Sequence, residues 1–232
     1  MSGRPGEGGF DARRAAARQR LDTLPGNDDP ADPERRRWFE AVYDTAGDDP
    51  AAIPWADLAP HPLLVEWARG REHAPGTAID VGCGLGDNAE FVASLGYDSW
   101  AFDLSEKAVG WARRRFPDSA VDYVAADLFD MPAWWARAFN LVTECYTLQA
   151  LAERPRRRAM KQIASLVAPR GTLVVIARLR EAGPAGDGPP WPIAPEELSV
   201  LERAGLEPLG LDRRTPEGEK PHLVATYRRP AG

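Results

Sequence analysis

The stretch from Ala78 to Val92, AIDVGCGLGDNAEFV, constrains this chain more than any other. Ala78, Ile79 and Val81 form an apolar run that predicts a buried strand. The run stops at Gly82-Cys83-Gly84-Leu85-Gly86, and an amphipathic helical pattern begins at once behind it. Glycine has no Cβ and tolerates positive φ, so such a turn lets backbone approach a ligand closely. The free N–H groups at the helix start then offer hydrogen bonds to an acceptor group. A strand, a glycine turn and a helix start in this order predict a nucleotide-type cofactor site.

The spacing narrows the choice. A dinucleotide fingerprint is G-x-G-x-x-G/A, whose third small residue lets helix and strand pack around a pyrophosphate. Here the glycines fall as G-x-G-x-G, and Asp87 stands where that third small residue would be. A carboxylate repels a pyrophosphate but suits a cofactor carrying an ammonium or a sulfonium. Asp80 adds a second acid at the strand end. The acidic setting favours S-adenosylmethionine over NAD or FAD.

Two further strand ends agree. Ser99 to Phe102 predicts a second strand ending at Asp103, about 20 residues past the loop, where an α/β site places an acid for ribose hydroxyls. A third strand, Val121 to Ala125, ends in Ala126-Asp127-Leu128. Asp127 is placed to meet the exocyclic amine of adenine and Leu128 to pack on its ring.

Residues 76 to 180 resemble a class I S-adenosylmethionine-dependent methyltransferase. The matching pieces are DVGCGLGDN, FDLS with Asp103 and Leu104, AADLFDMP, FNLVTECYTLQAL and LVAPRGTLVVIAR. The resemblance implies a Rossmann-like three-layer α/β sandwich with a mostly parallel seven-stranded sheet and a C-terminal antiparallel hairpin. It implies cofactor contacts from Asp80, Gly82, Cys83, Gly84, Asp87, Asp103, Leu104, Asp127 and Leu128. S-adenosylhomocysteine would be the product. A second run, Trp38 to Tyr43, then Pro54-Trp55, then Pro60-His61-Pro62-Leu63-Leu64, is similar to the segment before the cofactor loop in thiopurine methyltransferase-like enzymes. Gly188-Pro189-Pro190-Trp191 resembles a loop of the same group.

The 232 residues fit one domain of ordinary size, and 44% hydrophobic with 28% charged content is that of a globular chain. A net charge of −6 argues against a general nucleic-acid binder. The arginine runs Arg35–Arg37, Arg113–Arg115 and Arg156–Arg158 sit in helical patterns and predict solvated faces. No apolar run is long enough to span a bilayer, and the first residues have no apolar signal core, so a cytoplasmic location is expected. Two cysteines, Cys83 and Cys145, form no framework, and three scattered histidines predict no metal site. A monomer or a homodimer is expected.

Organisation follows the same punctuation. Residues 1–30 predict a flexible or helical extension, with a helix from Asp11 to Leu21. Residues 31–232 predict a single methyltransferase domain: lid and helices over 31–75, cofactor core over 76–180, and a substrate loop, helix and hairpin over 181–232. Helices are expected at Pro33–Tyr43, Pro62–Arg69 and Arg154–Val167, and strands at Leu141–Glu144, Thr172–Ala177, Leu206–Asp212 and Leu223–Tyr227.

Aromatic rings in the lid attract a sulfonium by roughly 0.5–2 kcal/mol, which makes Trp38 and Trp55 candidates. Trp67, Trp100, Trp111, Trp134 and Trp135 are expected in packing roles. Glu144 is expected near the methionine end or the acceptor, as a base or an ammonium ligand. Tyr146 is expected to line the acceptor pocket, and His61 is either a base or a loop histidine. No metal is called for. The chemistry expected is in-line SN2 transfer to a small molecule, accelerated by holding the reactants in attack geometry. The absence of an obvious base arrangement leans toward a thiol or other sulfur acceptor, which needs none once ionised. The rivals are an O- or N-methyltransferase of a natural-product intermediate, a protein or RNA methyltransferase, a non-catalytic S-adenosylmethionine-binding protein, and an NAD-dependent oxidoreductase.

Overall fold

The computed structural model describes residues 7–21, 32–181, 183, 184, 186, 189–216 and 220–232. Seven strands make one sheet: β1 (Thr77–Val81), β2 (Asp98–Asp103), β3 (Asp122–Ala125), β4 (Phe139–Cys145), β5 (Val167–Arg178), β6 (Glu207–Arg214) and β7 (His222–Arg228). Their order is β3-β2-β1-β4-β5-β7-β6. The first five run parallel, and β7 lies antiparallel between β5 and β6. This is the expected α/β class, with the antiparallel pair at one edge.

Helices are α1 (Glu7–Leu21), α2 (Asp32–Ala46), α3 (Pro62–Ala68), α4 (Asp87–Ser94), α5 (Glu106–Arg115), α6 (Glu153–Leu166) and α7 (Ser199–Arg203). Leu63, Leu64 and Val92 bring α3 and α4 onto one face of the sheet, and Val109 and Ala112 bring α5 beside them. Met160, Ile163, Leu166 and Leu201 cover the other face with α6 and α7. With both faces covered, Leu173 to Ala177 is apolar throughout and fully buried, without the alternation of a half-exposed strand. Each such side chain contributes roughly 1.5–3 kcal/mol relative to exposure.

Local chemistry sets the ends. Ser105 caps α5 by accepting from the Ala108 N–H (3.2 Å), with Glu106 in the first turn and Arg113–Arg115 in the last, complementing the helix dipole. The order of strands reverses between β1 and β4, and ligands of open α/β sheets bind above the strand ends at such a point.

Several expectations change. The helix predicted at Pro33–Tyr43 runs longer, Asp32–Ala46, because Tyr43 and Ala46 are buried with its other apolar positions. Trp134 is 60% exposed, with ring contacts to Trp100 and Trp135, while Trp135 is buried. Within the Arg156–Arg158 run, Arg157 and Arg158 are exposed as expected, but Arg156 is 2% exposed, bonds Glu197 at 2.8 Å and donates twice to the Leu151 carbonyl. Burial lowers its pKa and Glu197 restores it in part. Of the N-terminal extension, Glu7–Leu21 is helical and contacts the loop beyond α2 through Arg13–Asp49 and Arg14–Asp57. Residues 22–30 and Gly188 lie outside the described residues. Among the described residues no helix is long and apolar enough to cross a membrane.

Candidate functional site

The glycine turn closes as the sequence predicts. Gly82, Gly84 and Gly86 have φ of +67°, +52° and +92°. At Gly82 the freedom is obligatory twice over, since a Cβ there would overlap Thr147 Oγ1. That hydroxyl donates to the Val81 carbonyl (3.0 Å), tying the segment after β4 to the end of β1.

Asp103, at the tip of β2, holds the loop. Its Oδ2 accepts from Gly84 N–H and its Oδ1 from Ser105 N–H, both at 2.9 Å. Burial raises its pKa, the two backbone donors lower it, and Glu40 of α2 raises it again. A carboxylate has about four lone-pair sites, so two backbone bonds leave capacity for ribose hydroxyls. Asp80 is 3% exposed, accepts from Thr143 Oγ1 at 2.6 Å, and is pushed up to about 7, chiefly by burial. Asp103 raises it further. Asp80, Asp103 and Glu40 thus load one sign of charge around the glycine turn.

The lid lies above this turn. Tyr43 Oη and Trp55 Nε1 are hydrogen-bonded at 3.2 Å, and a Cβ built on Gly84 would sit 3.6 Å and 3.9 Å from them. Trp38, 4% exposed, packs edge-on to Phe39 and tilted against Trp55 behind that pair. Aromatic pairs of this geometry are worth about 0.5–1.5 kcal/mol each beyond their area. Trp55 thus lies beside the glycine turn, and Trp38 packs behind it within the lid. At β3, Asp127 Oδ1 accepts from Phe129 N–H (2.8 Å) and Leu128 is buried, with Leu104 half-buried after Asp103.

Two expectations are corrected here. Asp87 does not face the loop's ligand side as a free acid; Arg115 of α5 grips both its oxygens at 2.6 Å and 2.7 Å. The bidentate pair locks α4 to α5 and cancels the charge. Glu144 does not line a pocket. It is fully buried, its Oε1 accepts from Leu148 N–H (2.9 Å), and its Oε2 has no partner among the described residues. Burial pushes it up to about 8. From this buried position it organises the turn after β4.

Tyr146 takes the position Glu144 does not. It follows β4 with φ of +71°, a conformation that costs a non-glycine residue of order 1–3 kcal/mol and clusters at functional sites. Its hydroxyl sits between two imidazoles, 2.8 Å from His61 Nε2 and 2.7 Å from His222 Nε2. His61 caps α3 through Nδ1, which accepts from Leu63 N–H (3.2 Å), while its own N–H donates to Asn88 Oδ1 in α4 (2.8 Å). The group is anchored on the glycine loop's helix. Burial, then His222, lowers His61 to about 4. The sequence reading names no role for Tyr43, Asn88 or Thr147, although each lies in a quoted motif, and His222 has no local pattern to mark it. Among the described residues no three His, Cys, Asp or Glu side chains converge as metal ligands.

The shifted groups set a stability profile. Asp80 and Glu144 bind protons more tightly folded than unfolded, so each stabilises fully at low pH and loses that contribution as pH rises through about 7 and about 8. His61 acts oppositely, but only from about 4 up to the ordinary histidine value of about 6.5. Above pH 6.5 His61 no longer contributes, and Glu144 carries its share of the fall up to about 8. Glu144→Gln, which keeps an acceptor for Leu148, is expected to flatten the fall in Tm between pH 6.5 and 8; an unchanged slope in thermal melts would refute the assignment.

Comparison with known proteins places this geometry. Residues 78–171 match the family model described as a methyltransferase domain. The chain is 37% identical over 86 residues to a ubiquinone biosynthesis O-methyltransferase of Aromatoleum aromaticum, covering 36% of this chain and 37% of that one. It is 32% identical over 117 residues to the protein of that name from Burkholderia thailandensis, covering 49% and 50%. The chain thus spans half or less of the length of these curated relatives. Among solved structures, N-methyltransferase NodS from Bradyrhizobium japonicum, in complex with S-adenosylhomocysteine, superposes with a TM-score of 0.64 at 20% identity, over 84% of this chain and 98% of that one. The [4+2]-cyclase SpnF superposes at 0.60 and 21% identity over 73% and 79%. The chain shares the Rossmann-like fold of these methyltransferase structures, and its residues 78–171 are similar to a methyltransferase domain. The cyclase marks that this fold alone does not fix a reaction.

Proposed function

We propose that this chain transfers a methyl group from S-adenosylmethionine to a hydroxyl of a small-molecule acceptor, leaving S-adenosylhomocysteine. The observation that carries this is the charge around the glycine turn: Asp80, Asp103 and Glu40 act on one another there, while Arg115, which reaches the same turn, is spent on Asp87. Such a site repels a pyrophosphate and suits a nucleoside that carries a sulfonium.

In this proposal the backbone of Gly82, Cys83 and Gly84 borders the methionine end. Asp103 takes the ribose hydroxyls, and Asp127 with Leu104 and Leu128 borders adenine. Trp55 and Tyr43 close over Gly84 and exclude water. Asp80 holds negative potential beneath the loop. When bound, the cofactor supplies an electrophilic methyl on a cationic sulfur. The lid over 31–75 and the core over 76–180 share one task, holding two reactants in attack geometry.

The acceptor is placed at oxygen rather than sulfur. The lean toward a thiol depends on there being no base arrangement, and His61, Tyr146 and His222 form one. The O-methyltransferase relatives support the same choice within the half of their length that aligns. The likeness of the lid to thiopurine methyltransferases supports a small-molecule acceptor without requiring sulfur.

A calorimetric titration with S-adenosylhomocysteine, followed by a panel of phenols, thiols and amines assayed with S-adenosylmethionine, tests this. Binding with turnover of phenols above thiols and amines is expected. Preferred turnover of a thiol would remove the oxygen assignment, and no binding would remove the methyltransferase proposal.

A further inference from the structure

We propose that His61, Tyr146 and His222 form a directional proton relay that takes the proton of a phenolic or enolic acceptor, with Tyr146 as the group in contact with that acceptor; this rests on the methyltransferase proposal above.

Direction follows from the hydrogen bonds. A neutral imidazole has one donor and one acceptor nitrogen. His61 Nδ1 accepts from Leu63 N–H, so its proton sits on Nε2 and is donated to the Tyr146 oxygen. Tyr146 therefore turns its own O–H toward His222 Nε2, 2.7 Å away. The imidazole of His222 is 1% exposed, and Tyr146 is the more accessible member of the three. The tyrosine oxygen is thus the outlet of the group, and its left-handed backbone presents it at the end of β4, beside the loop joined to β1 through Thr147.

The step balances. The acceptor O–H proton passes to the Tyr146 oxygen while the Tyr146 proton passes to His222 Nε2, giving an imidazolium. The acceptor oxygen's lone pair forms the new O–C bond, and the pair of the broken S–C bond stays on sulfur. His222 later returns its proton to the Tyr146 oxygen, which passes its own to water. His61 and His222 are positioning residues that act through Tyr146. A neutral imidazole suits a phenolic proton, whereas an alkyl alcohol is too weak an acid for it.

Arg178 of β5 and Arg214 of β6 are the backbone partners of His222 across the sheet, and Arg214 is bound by Glu66 of α3 at 3.2 Å, with Asp212 at 3.6 Å. Cys145 precedes Tyr146, and burial keeps its thiol protonated. Asp80 lies on β1 and titrates near neutrality, so a pH limb by itself does not identify His222.

The test compares wild type, Tyr146→Phe and His222→Gln. For Tyr146→Phe, kcat on a phenol is expected to fall ~100-fold or more, in the range of general acid–base catalysis, with S-adenosylhomocysteine affinity and Tm held. For His222→Gln the acid limb of the kcat–pH profile is expected to vanish; a limb that persists overturns the relay. A second readout needs no turnover. With S-adenosylhomocysteine present, 4-nitrophenol is titrated by its phenolate absorbance. Its apparent pKa is expected to lie below the free value on wild type and to return to it on Tyr146→Phe. No shift on wild type, no bound spectrum, or equal shifts on both proteins overturns the relay, as does a kcat loss accompanied by equal loss of Tm or cofactor affinity. Failure of S-adenosylhomocysteine to bind wild type instead overturns the methyltransferase proposal on which the relay rests.

Discussion

Asp103→Ala is expected to weaken S-adenosylhomocysteine binding by ~100-fold or more. Each hydrogen bond from a ribose hydroxyl to a carboxylate is worth about 1.5–3 kcal/mol, and tenfold in affinity corresponds to about 1.4 kcal/mol. The same substitution releases the Gly84 and Ser105 N–H groups, so the loop loses its tether as well as its ribose acceptor. Asp103→Asn separates the two effects, because a carboxamide oxygen still accepts one backbone N–H. It is expected to retain the fold and part of the affinity. Isothermal titration of both variants decides the matter. Affinity within threefold of wild type for Asp103→Ala would show that the ribose is held elsewhere.

Arg156→Met is expected to be the most destabilising single change, at about 3–5 kcal/mol, the usual effect of removing one partner of a buried ion pair. At about 2–4 °C per kcal/mol for a chain of this size, Tm should fall by ~6–20 °C. Three interactions go at once: the bond to Glu197 and two donations to the Leu151 carbonyl. Glu197 keeps Arg180 at 2.5 Å and Ala194 N–H at 3.0 Å, so its charge is not left bare, which places the effect toward the lower end of that range. Leu151 ends the turn that Glu144 organises, and the damage should therefore spread toward Tyr146. Thermal melts read the size of the effect. A loss below about 1 kcal/mol would mean that water replaces the guanidinium without penalty.

The cofactor half of the site was legible for a physical reason. Strand ends, the glycine turn and the acids at Asp80, Asp103 and Asp127 are local in sequence, and the period of a parallel sheet carries them to one edge. Failures came where a side chain's partner is distant. Asp87 sits in the right loop, yet its charge is cancelled by Arg115 from the next helix. Glu144 and Tyr146 stand two residues apart at the same strand end. Strand alternation sends Glu144 inward among Val81 and Val175, its neighbours on β1 and β5. A left-handed φ turns Tyr146 the other way. Both were candidates on equal terms until burial separated them.

The sequence by itself determined the strand–loop–helix order, the acids at three strand tips and therefore the class of fold and cofactor. These depend on hydrophobic period and glycine spacing, which act over a few residues. Only the tertiary structure brought together the groups of the proposed relay. His61 caps a helix ahead of the first strand and His222 opens the last one, and they meet at Tyr146 because β7 inserts beside β5 with α3 packed over it. Long-range packing sets those distances, and no pattern within a short window encodes them.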